Sequence, residues 1–113
     1  MKAWGEDHPH VAESLSFLGT LLCNQSDFAG AEPVLRRAVE IQRKLGETQI
    51  LPVNLMRLAF ALRTSGELGE AEKLLREAVR ILQETRQSAD LQLLSLAAVL
   101  SEDGKATEAE GIL

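Results

Sequence analysis

Ala31-Glu32-Pro33-Val34-Leu35-Arg36-Arg37-Ala38-Val39-Glu40-Ile41 returns, without a gap, as Ala71-Glu72-Lys73-Leu74-Leu75-Arg76-Glu77-Ala78-Val79-Arg80-Ile81, with Ala71 in the place of Ala31. A third, clipped copy opens at Ala109-Glu110. Self-similarity at this period marks a stack of like helical units, each burying its apolar face against the next. Such a chain offers a surface to a partner rather than one closed reaction pocket.

Working outward, each copy reads as the second of two helices. The first unit carries Leu15, Leu18, Gly19 and Leu22 upstream, then Phe28, Ala31, Leu35, Ala38 and Ile41. The second carries Leu55, Leu58, Ala59 and Leu62, then Leu68, Ala71, Leu75, Ala78 and Ile81. The third has Leu93, Leu96, Ala97 and Leu100, then Ala106, Ala109 and Leu113. Spacings of three and four place each set on one helix face. The turns are Asn24-Gln25-Ser26-Asp27, rich in capping residues, Thr64-Ser65-Gly66-Glu67, and the stretch around Gly104; Gly66 suits a left-handed helix end. Gly19, Ala59 and Ala97 share one place on the first helix, and Ala31, Ala71 and Ala109 share one on the second. Small side chains there let paired helices touch. Pro9 and Pro52 suit first turns, and Pro33 is expected about a turn into its helix, where the lost donor is tolerable.

Composition agrees. The chain has 113 residues, 45% hydrophobic and only 4% aromatic, with no Tyr. The core must therefore come from Leu, Ala, Val and Ile, which suits close helices. The net charge of −5 provides no basic stripe for nucleic acid. No apolar run reaches membrane-spanning length, and Met1-Lys2-Ala3-Trp4-Gly5-Glu6-Asp7 carries no signal-peptide core. The single Cys23 fits a reducing, cytoplasmic compartment and is expected to be inert. Trp4 is expected to pack. The pairs Glu32–Arg36, Glu40–Lys44 and Glu72–Arg76 are expected to lie on a solvated outer face.

The spacing Leu15-x2-Leu18-Gly19-x2-Leu22, then Phe28, Ala31, Leu35 and Ala38, resembles the tetratricopeptide repeat. The units here are longer than is usual for that repeat. With His8-Pro9-His10-Val11-Ala12 and Ala31-Glu32-Pro33, they are similar to the repeats of kinesin light chain. The resemblance implies an all-α, right-handed superhelical stack of antiparallel helix pairs whose first helices line a concave face that binds proteins or peptides. Where some members grip a peptide carboxylate with Lys, Asn and Arg, the first unit has Ser16 and Thr20; where kinesin light chain repeats often carry Asn pairs, this chain has Ser16-Phe17 and Met56-Arg57.

No catalytic constellation is present, and no metal or cofactor is expected: His8 and His10 have the spacing of two ligands but no third, and no Gly-rich phosphate loop occurs. The face of the first helices opposite the core stripe offers Phe17, Thr20 and Asn24, then Met56, Arg57, Phe60 and Arg63. An aromatic floor beside an arginine pair suits a short peptide with one acidic and one apolar residue.

The expectation is one domain over residues 1–113, with units at about 9–48, 49–87 and a truncated 88–113. Residues 1–8 read as the tail of a preceding unit or a flexible N-terminus. The function expected is that of a non-enzymatic scaffold binding protein or peptide in its groove. The alternative is an assembly segment of a larger repeat protein that packs on neighbouring domains or self-associates through uncapped ends.

Overall fold

In the computed structural model, residues 8–112 are described, without the side chains of residues 106, 107 and 110. The expectations for Trp4, Ala106, Leu113 and the leading tail lie outside them. The described residues form six helices and no strand: α1 Pro9–Asn24, α2 Phe28–Leu45, α3 Leu51–Thr64, α4 Leu68–Glu84, α5 Asp90–Glu102 and α6 Ala106–Ile112. Each packs chiefly on its sequence neighbours, with α1 touching α3 and α3 touching α5, which makes an α-α superhelix of stacked pairs.

The shared small positions are where helices meet. Ala31, Ala38, Ala71 and Ala78 are fully buried, and Ala59, Ala97 and Ala109 nearly so. At Gly19 a Cβ would stand 2.5 Å from Leu35 Cδ2, so α1 sits against α2 at a distance only glycine permits. Leu35, Leu55, Leu62, Leu75 and Leu100 fill the space between the pairs.

Local signals fix the ends. His8 caps α1 through Nδ1, which accepts the His10 N–H, and Asp27 caps α2 by accepting the Gly30 N–H at 3.0 Å. The Glu47 carboxylate accepts the N–H groups of Gln49, Ile50 and Leu51 at the head of α3, a cap that no sequence pattern had marked. Gly66 takes the expected left-handed conformation at φ 87°. Pro33 lies deeper than expected, as the sixth residue of α2. The carbonyl it leaves unmatched belongs to exposed Ala29, where water can reach it.

Two expectations need correction. Leu18 does not belong to the buried stripe: it is 44% exposed, because no described helix lies over that side of α1. The charged face of the second helices is more than a solvated row. Arg36 holds Glu32 on its own helix at 3.1 Å and also Glu70 of α4 at 2.9 Å, and Arg76 holds Glu72 at 2.9 Å and also Glu108 of α6. Arg43 likewise reaches Glu77 at 3.0 Å. These arginines rivet successive pairs together.

Candidate functional site

The faces of α1, α3 and α5 that turn away from their contacts with α2 and α4 carry the seven residues singled out in the sequence, and all seven line hollows. The first hollow, of about 290 Å³, is lined by Phe17, Thr20 and Arg57 together with Ile50 and Asn54. The second, of about 280 Å³, is lined by Asn24, Met56, Arg57 and Phe60 with Cys23 and Phe28. Arg63 lines a third, much smaller one beside Met56 and Phe60. Arg57 alone of the seven belongs to both large hollows.

The apolar walls differ. Phe17 is 68% exposed and meets solvent across its face. Phe60 stands edge-on to Phe28 with ring centroids 5.1 Å apart, and the Arg63 guanidinium lies 6.0 Å from its ring centre. Phe28, expected in the core of its pair, thus contributes to the groove floor, as do Ile50 and Ser95. Ile50 was missed because it belongs to the loop ahead of α3, where helical spacing marks no face.

The arginine pair is split. Arg63 donates to Glu102 of α5, from Nε at 2.7 Å and from a terminal nitrogen as well. Those hydrogen bonds hold the Glu102 carboxyl below its usual range. Arg57 makes no hydrogen bond or ion pair with any described residue. Its charge is felt by Cys23: burial pushes that thiol up, and Arg57 partly opposes the shift. Thr20 spends its hydroxyl proton on the Ser16 carbonyl at 2.9 Å, so what it offers the groove is an acceptor and a methyl.

Beneath the first hollow lies a buried polar knot. Asn54 Nδ2 donates to Gln42 Oε1 at 3.0 Å and to Ser16 Oγ, joining α1, α2 and α3, while Asn54 Oδ1 has no partner among the described residues. His8 and His10 stack at 4.9 Å, and no group of three or more metal-ligating side chains occurs among the described residues. No described helix is long and apolar enough to cross a membrane.

A family model described as tetratricopeptide repeat, of the kinesin light chain-like type, matches residues 11–48 and 55–87, well over half the chain. The matched segments cover most of α1 to α4. No curated protein matches the chain.

Proposed function

As a member of the tetratricopeptide-repeat family, whose repeats generally mediate protein–protein interaction, this chain, we propose, binds an extended segment of a protein partner along its concave face and catalyses no reaction. In this reading residues 1–113 are one domain of units at about 9–48, 49–87 and 88–113, working as a scaffold in a reducing, cytoplasmic compartment that keeps Cys23 a thiol. The observation that carries the reading is Arg57. It is a groove cation without a carboxylate partner among the described residues, set between two hollows walled by Phe17 and Ile50 on one side and Phe28, Met56 and Phe60 on the other.

That arrangement suits a segment with one acidic residue between two large apolar ones. The carboxylate would take the Arg57 fork, and the flanking side chains would fill the hollows. A carboxylate paired with Arg57 while the neighbouring apolar groups exclude water is worth about 1.5–3 kcal/mol. Arg63, already neutralised by Glu102, contributes as a wall of the Phe60 pocket.

Fluorescence anisotropy with a labelled synthetic peptide, acidic at its centre and aromatic on both sides, tests this. Binding should fall about tenfold or more on Arg57→Ala, fall similarly when the central residue is made an amide, and change little on Arg63→Ala. Equal affinity for wild type and Arg57→Ala would sink the reading.

A further inference from the structure

We propose that the Arg63–Glu102 pair is a latch over a third subsite of the groove, which a second acidic residue of the bound segment opens by taking the place of Glu102. The inference rests on the groove reading and deepens it. The subsite lies between α3 and α5, where the third hollow continues the second: Met56, Phe60 and Ser95 line both.

The repeat supplies the comparison. Cys23 holds in α1 the place of Arg63 in α3, and Thr64 holds in α3 the place of Glu102 in α5. Where α1 meets α3, the two places are therefore a thiol and a hydroxyl. Thr64 spends its hydroxyl proton on the Ala61 carbonyl of its own helix at 2.6 Å, so no charge pair crosses this interval, and its hollows measure about 290 and 280 Å³. Where α3 meets α5, Arg63 donates across to Glu102 and the hollow shrinks to about 20 Å³. The ion pair accompanies the closed interval and is missing from the open one.

The pair is also built to exchange. Arg36 and Arg43 each engage both carboxylate oxygens of their partners, Glu70 and Glu77. Arg63 directs Nε and a terminal nitrogen to a single oxygen of Glu102, Oε2. A two-oxygen fork fixes geometry as well as charge, and a one-oxygen contact holds the guanidinium less firmly. An incoming carboxylate replaces like with like, because Arg63 keeps a charge-assisted partner throughout. The guanidinium lies 6.0 Å from the centre of the Phe60 ring, so a carboxylate that reaches it stands next to the aromatic wall of the second hollow. A segment whose apolar residue fills that hollow delivers a neighbouring acidic residue there at high effective concentration.

Fluorescence anisotropy with two labelled peptides tests the latch. Both carry the core of aromatic, Glu and aromatic residues; one adds a Glu outside each aromatic residue, and the other has Gln at those places. Relative to wild type, Glu102→Gln should raise the preference for the Glu-flanked peptide about tenfold. Combining Glu102→Gln with Arg63→Gln should abolish that gain. Two results would overturn the latch: an unchanged preference in Glu102→Gln, or a gain that survives the loss of Arg63, which would make Glu102 a simple repulsive charge. A Gln-flanked peptide that binds wild type and Arg57→Ala alike sinks the groove reading instead, and the latch falls with it.

Discussion

Ser26 and Gly66 occupy the same turn in successive pairs and the same left-handed backbone, at φ 62° and 87°. Gly104 holds that place in the third pair, at φ 80°. The turn demands the conformation and the first unit meets it with a residue that pays a Cβ penalty.

Ser26→Gly should therefore stabilise the fold by up to about 1 kcal/mol, and Gly66→Ser should cost a similar amount. The Arg86 position repeats the lesson: it is left-handed at φ 60° where the preceding unit has Gly46 at φ 69°. Thermal melts of Ser26→Gly and Arg86→Gly should both shift upward by a few degrees. A downward shift in either would contradict the strain assigned to these turns.

Two glycines in helices should respond in opposite directions. Gly19→Ala drives a Cβ to within 2.5 Å of the fully buried Leu35 side chain, so overpacking of about 1–3 kcal/mol outweighs the gain in helix propensity. Gly69→Ala, in the first turn of α4 with nothing within 4 Å of the added carbon, should gain a few tenths of a kcal/mol. Urea midpoints of the two variants measure the contrast.

The inter-pair rivets predict an acid limb. Glu70 is held below the ordinary carboxylate range chiefly by its hydrogen bond from Arg36, and Glu72 chiefly by that from Lys105 and then Arg76. A depressed carboxyl contributes its full stabilisation above the unfolded pKa and loses it as pH falls through the folded one. Stability should hold at neutral pH and decline below the ordinary carboxylate value. Glu70→Gln and Glu72→Gln should flatten that limb and each cost at most about 1 kcal/mol at neutral pH, given their contact with solvent. Melting temperature against pH, read for wild type and both variants, checks it.

Cys23 reports on Arg57. Burial raises the thiol and Arg57 lowers it, so Arg57→Gln should move the midpoint of the alkylation pH profile upward and slow modification at neutral pH. An unchanged midpoint would mean that the guanidinium does not act on this side of the groove. A bound peptide should also protect Cys23, because the thiol lines the second hollow.

The fold was legible because its determinants are local and repeated. Ala31 and Ala71, Leu35 and Leu75 mark helix faces by spacing alone, and the buried alanines lie where that spacing put them. What escaped depends on how helices stand in space. The capture of Arg63 by Glu102, far along the chain on α5, follows from the α3–α5 approach and from nothing near Arg63 in the sequence. The exposure of Leu18 follows from how α2 and α3, the only described helices that touch α1, stand against it. Ser26 carries no mark of left-handedness until it is aligned with Gly66. The seven residues singled out on the first helices all line hollows, but that Arg63 is paired and Arg57 is not, among the described residues, is a property of tertiary charge pairing.

A charge exchange across the groove tests the central claim most directly. Wild type and Arg57→Glu are each titrated with two peptides that share their flanking aromatic residues and differ only in a central Glu or Lys. The account predicts that wild type prefers the Glu peptide and that Arg57→Glu prefers the Lys peptide, a reversal of about tenfold or more in relative affinity. If both proteins rank the two peptides in the same order, Arg57 does not read the ligand's charge and the groove assignment is wrong.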